Sequence, residues 1–148
     1  MKKLLITALV LSSTAFAATA TTTVTINGTV ANSCTFFGEN SPASFNYTAA
    51  DGSSGVINGS ATLVCNNGTL GTGKTATATS PVTLTKSGGS DTLSVTVIVT
   101  SGPVSSITSG PLSGGQAQTY SVTPAAAANQ WGASTGSYSG TTLLTITF

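Results

Sequence analysis

From Thr21 to Cys34 the chain alternates strictly, with Val24, Ile26, Gly28 and Val30 on one face and Thr23, Thr25, Asn27 and Thr29 on the other. β-Branched residues at a period of two predict a half-buried strand. The same alternation returns along the chain. It predicts strands at Phe45–Tyr47, Ser60–Cys65, Lys74–Thr79 and Val82–Thr85, then Leu93–Val99, Gln116–Val122 and Tyr138–Phe148. Leu93, Val95, Val97 and Val99 give the longest apolar face and make the best core strand. Asp51–Gly55, Asn66–Gly68 and Ser87–Ser90 read as turns. Gly102-Pro103 and Gly110-Pro111 punctuate the chain, and Pro124–Ala128 has the composition of one helical turn with Pro first. About eight or nine short strands without a convincing helix predict an all-β chain built as a β-sandwich.

The N-terminus changes the picture of where that domain acts. Met1-Lys2-Lys3, an apolar run from Leu4 to Leu11 and the small residues ending Ala15-Phe16-Ala17 have the three parts of a secretory signal peptide. The apolar run is too short to cross a bilayer, so no membrane anchor is expected. The predicted organisation is a signal peptide over 1–17, a leading strand over 18–33 and a β-domain over 34–148. Export to an oxidising compartment makes a Cys34–Cys65 disulfide the expected state of the two cysteines. Closing that loop stabilises the fold by about 3–4 kcal/mol in the chain-entropy model.

Charge excludes several functions. Past residue 17 there remain Lys74 and Lys86 against Glu39, Asp51 and Asp91, with no Arg and no His. The clustered cations that nucleic acid or an anionic membrane requires are missing. A serine–histidine apparatus cannot be built without histidine, and two cysteines are too few ligands for a metal. The three acids lie far apart in sequence and are read as solvated turn residues. No cofactor and no catalysis are expected. Gly68-Thr-Leu-Gly-Thr-Gly-Lys74-Thr75 satisfies the phosphate-loop pattern. That loop works through a helix N-terminus beginning at the lysine, whereas Ala76-Thr-Ala-Thr-Ser-Pro81 reads as a strand, so nucleotide binding is not expected. Four Asn-x-Ser/Thr triplets, at Asn27, Asn46, Asn58 and Asn67, arise readily in so Asn/Thr-rich a chain.

Four segments together resemble the subunits of chaperone–usher pili. Thr25-Ile-Asn-Gly-Thr-Val-Ala-Asn-Ser-Cys34-Thr-Phe36 is similar to their N-terminal strand running into the first cysteine. Ala61-Thr-Leu-Val-Cys65-Asn-Asn-Gly68 resembles the second-cysteine strand of the spore coat protein U group, the archaic branch of these pilins. Gly136-Ser-Tyr138-Ser-Gly140 through Phe148 is similar to their closing strand, and Trp131-Gly132 to a Trp-Gly turn in the coat-U group. Gly28-Thr-Val30 before Cys34 also suits classical fimbrial subunits, which leaves the branch open.

The resemblance implies an immunoglobulin-like β-sandwich lacking its last strand, with an apolar groove beside the closing strand, at Tyr138, Leu144, Ile146 and Phe148. A periplasmic chaperone would occupy the groove first. At an outer-membrane usher, the free N-terminal donor strand of a neighbouring subunit would replace it, through Thr22, Val24, Ile26, Gly28 and Val30. The product is an extracellular fimbrium supporting adhesion or biofilm. The residues themselves leave a second arrangement open, in which Thr22–Val30 pairs within its own sandwich. The alternative function is then a monomeric secreted module that binds glycans or surfaces, with Trp131 as its one indole.

Overall fold

The computed structural model describes residues 21–38, 40–71 and 74–148. The expected signal peptide, 1–17, therefore lies outside the described residues, as do Glu39 and part of the phosphate-loop pattern. Two units separate at Val30, and each is taken by itself.

In the first unit, Thr21–Val30 has no regular secondary structure. Val24, Ile26 and Val30 are 74%, 89% and 84% exposed. The strand predicted here is thus not formed in this chain. Alternation supplies an apolar face, but a strand also needs a partner for its backbone N–H and C=O groups.

In the second unit, ten strands follow one another: β1 Cys34–Phe36, β2 Ser44–Thr48, β3 Gly52–Ile57, β4 Gly59–Cys65, β5 Thr75–Ala78, β6 Val82–Lys86, β7 Thr92–Ser106, β8 Gln116–Ala125, β9 Tyr138–Ser139 and β10 Leu144–Thr147. Among the described residues there is no helix. Six strands form one antiparallel sheet in the order β1-β4-β8-β7-β6-β9, while β10 pairs with β5 and β2 with β3 in two separate ladders. The sheet curls around β7: Thr92–Val95 pair with β6, whereas Thr96–Ser106 pair with β8.

Each face of the sheet follows from the alternation. Inward, Leu63, Cys65, Leu70 and Tyr120 form one buried cluster, against which Ala76 of β5 and Leu144 and Ile146 of β10 pack. Leu93, Val95 and Ala126 form a second, covered by Phe45 and Tyr47 of β2 together with Leu84 and Tyr138. Outward, the rows end in hydroxyls, as where Thr62 and Thr119 meet across β4 and β8 at 3.0 Å. Cys34 and Cys65 are register partners in the β1–β4 ladder, their Cα atoms 4.1 Å apart, and they are disulfide-bonded.

Four local expectations are corrected. Tyr138–Phe148 is not one strand: β9 Tyr138–Ser139 pairs with β6, the chain leaves the ladder at Gly140, and β10 Leu144–Thr147 pairs with β5. Asp51–Gly55 is not only a turn: the reversal is made at Ala49–Asp51, and β3 begins at Gly52. Gly52 has φ +84°, and a Cβ there would lie 2.7 Å from the Ala126 carbonyl oxygen. The glycine allows the two backbones to touch, and Ser53 N–H donates to that same carbonyl at 2.9 Å. Gly102-Pro103 does not end β7; an irregularity between Ser101 and Val104 absorbs it. Pro124–Ala128 is not helical, because Pro124 and Ala125 continue β8 opposite Val97 and Thr96.

Candidate functional site

A long groove of about 1220 Å³ opens over the second cluster. Its base is apolar: Ala61, Val82, Leu93 and Val95 are buried, and Val97 and Val122 are half-buried. All of β2 lines the groove, while its partner β3 does not, and among the described residues β3 is the one ladder partner of β2. The segment Tyr138–Thr142 and Leu144 line the groove as well. The volume exceeds the ~300–1,000 Å³ usual for a small-ligand pocket. No Asp, Glu, Lys or Arg is among its described lining residues. It can therefore offer apolar contact without fixed charge.

Local sequence explains how the walls are held. Gly140 is a point of close approach: a Cβ would lie 2.8 Å from Leu84 Cδ2 and 3.0 Å from the Thr83 carbonyl oxygen. The absence of a side chain lets the Tyr138–Thr142 segment run against β6. The loop before it, containing Trp131, is clamped by Gln130. The Gln130 side chain accepts from Ser94 N–H at 2.7 Å and donates to the Ser94 and Ala127 carbonyls at 2.9 and 3.1 Å. Gln130 N–H donates to Tyr47 Oη at 3.0 Å, which joins the loop to β2. Tyr138 Oη donates to the Ser134 carbonyl at 2.7 Å. Lys86 Nζ donates to Ser134 Oγ at 2.7 Å, and Ser134 Oγ donates in turn to the Asp91 carboxylate. This exposed chain ties the β6–β7 turn to the loop bordering the groove.

The predicted site residues divide between places. Tyr138 and Leu144 line the groove; Ile146 packs into the first cluster instead, and Phe148 is 45% exposed. Among the described residues β10 has a ladder partner on one side, β5, extended by Thr79 N–H donating to the Leu143 carbonyl at 3.1 Å. Thr22, Val24, Ile26, Gly28 and Val30 are all exposed. Sequence reasoning missed β2 as a wall and Gln130 as its clamp. Phe45 and Tyr47 carried the right alternation over too short a span, and a lone Gln after an Ala run carries no signal.

Other chemistry is sparse. The Lys74 end of the phosphate-loop pattern runs into strand β5, so no helix N-terminus exists there to hold a phosphate. No cluster of three metal-ligating side chains occurs among the described residues. Tyr120 is the largest fully buried side chain among the described residues; its Oη donates to Gln118 Oε1 at 2.9 Å, and desolvation raises its pKa above the ordinary phenol value. A smaller pocket of about 410 Å³ lies beside the disulfide, between Val64, Leu112 and Gly115.

No protein-family model, no curated protein and no solved structure matches the chain.

Proposed function

We propose that the chain is a structural subunit of a surface fibre, assembled by strand donation along the chaperone–usher route. In this reading the domain is an immunoglobulin-like sandwich short of one strand. The observation that carries the reading is a groove lined by β2 and the Tyr138–Leu144 segment, without charge among its described lining residues, in a chain whose residues Thr21–Val30 alternate yet are exposed and form no strand. A second copy's Thr22–Val30 supplies what the trough lacks: backbone donors and acceptors for an open edge, and Val24, Ile26 and Val30 for the apolar base. Burying three such side chains contributes about 5–9 kcal/mol, and each ladder bond adds about 1 kcal/mol. That sum is set against roughly 4–15 kcal/mol for association. The disulfide and the three-part N-terminus support export through an oxidising compartment. A periplasmic chaperone and an outer-membrane usher are the partners this route requires, and adhesion or biofilm the use of the fibre.

Appending a second copy of residues 20–32 after Phe148, through a flexible linker, tests the reading. The wild-type chain is expected to associate or to melt early, and the fused chain to be a stable monomer. An unfused chain that is a stable monomer, unchanged by the appended strand, refutes it. Trp131, 72% exposed on the groove's lip, favours the second reading of a monomeric glycan-binding module. That module would be monomeric without the appended strand and would lose sugar binding in Trp131→Ala.

A further inference from the structure

Asn-Gly occurs three times in the described chain, at 27–28, 58–59 and 67–68. At this dipeptide a side-chain amide is lost most readily without an enzyme, because the glycine nitrogen is unhindered and its backbone turns freely. Three copies in one molecule provide an internal comparison. At Asn67, the Gly68 N–H is engaged by Gln116 Oε1 at 3.0 Å. At Asn58, Gly59 is buried at the head of β4. A Cβ on it would lie 2.9 Å from the Ser41 carbonyl oxygen and 3.0 Å from Ala43 N, so that peptide has no room to swing. Asn27-Gly28 lies in Thr21–Val30, where every residue is exposed and none is in regular structure. Among the described residues no hydrogen bond holds the Gly28 N–H.

We propose that Asn27 is a site of spontaneous deamidation, and that strand pairing shuts the reaction off. Gly28 N, having lost its proton to solvent base, attacks Asn27 Cγ. The new N–Cγ bond closes a five-membered imide, and the Cγ–Nδ2 bond breaks with departure of ammonia. Water then opens the ring at either carbonyl and leaves aspartate or isoaspartate at position 27. No oxidant or reductant is involved.

The consequence for assembly rests on the strand-donation reading. Aspartate puts a charge on the polar face, between Thr25 and Thr29. Isoaspartate does more, since it adds a backbone carbon between Ile26 and Val30 and puts their side chains out of step. A subunit left unassembled loses competence with time, whereas a paired segment is fixed in an extended ladder that cannot reach the imide geometry.

The test is peptide mapping by mass of the full chain, incubated at mildly alkaline pH. The peptide holding Asn27 is expected to convert at least about tenfold faster than those holding Asn58 and Asn67, since one retained hydrogen bond or a local opening is enough for such a factor. Comparable conversion at Asn58 or Asn67 overturns the assignment. Asn27→Gln should abolish the fast conversion, and its persistence would place the reaction elsewhere. Polymeric and monomeric fractions are then aged separately. Slower conversion in the polymer supports protection, and equal rates overturn it. If no polymer forms under any condition, the consequence for assembly falls with the strand-donation reading, while the ranking of the three steps is judged by the peptide masses alone.

Discussion

Ile26→Asp separates the stability of one chain from the association of two. Ile26 is 89% exposed in the single chain, so the substitution removes no packing from it, and the melting temperature is expected to stay within that of an ordinary surface change, about 0.5 kcal/mol. In a complex that seats Ile26 in the trough, two terms add. Lost burial of the isoleucine costs about 1.5–3 kcal/mol. The carboxylate meets a base of Ala61, Val82, Leu93 and Val95, with no cation among the described lining residues to pair with it, at a cost of several kcal/mol. A total of at least about 4 kcal/mol weakens association roughly 10³-fold. Sedimentation or light scattering over a concentration series measures that loss, with thermal unfolding run in parallel. The sign of the pH dependence is fixed as well. Burial disfavours the charged form and raises the engineered carboxyl's pKa, so the defect should ease as pH falls and the group protonates. Normal association of Ile26→Asp at neutral pH would refute the placement of this face in the groove.

Three further outcomes test the domain itself. Replacing Cys34 and Cys65 by Ser opens a loop with a sequence separation of 31 and should cost about 3–4 kcal/mol in denaturant unfolding, as should reductant on the native chain. Gly140→Ala drives a methyl against Leu84 Cδ2 and the Thr83 carbonyl; a loss of about 1–3 kcal/mol is expected, smaller when combined with Leu84→Ala, measured by melting. Tyr120→Phe removes a hydrogen bond to Gln118 and should cost about 1 kcal/mol at neutral pH. Because the folded-state pKa of Tyr120 is raised, the native chain should keep its full stability below the unfolded phenol value of about 10 and lose it as pH rises beyond, and Tyr120→Phe should flatten that decline.

The strands that read correctly are those whose inward residues are large. Ala61-x-Leu63-x-Cys65, Val82-x-Leu84, Leu93-x-Val95 and the run around Tyr120 each show period two because both neighbours of the strand bury the same face. β3 escaped because Gly52 is its one buried position, and its ladder with β2 runs through Ser53 and Ser54, residues that otherwise signal a turn. The far half of β7 escaped because Gly102-Pro103 is a common chain break, and a bulge is a property of two paired strands that neither reveals alone. The groove was legible at one wall. The closing segment carries the pattern of Tyr138, Gly140 and Leu144, whereas the base is assembled from Ala61, Val82, Val95 and Val122, which come from four strands. For Thr21–Val30 the alternation was plain, but no sequence pattern states which chain provides a strand's partner.

The placement of the disulfide has a mechanical consequence. A pull on the leading segment reaches Cys34 four residues after Val30, before it can load the three-residue β1. The sulfur bridge passes that force to Cys65 at the end of β4, a strand hydrogen-bonded along its whole length to β8 and bordered on its other side by β1. Peeling from the edge, the easy way to unravel a sheet, is therefore short-circuited, and tension must shear an interior ladder instead. With the bridge reduced, the same tug would break the bonds that hold Ala31–Ser33 to Asn66 and then unzip β1.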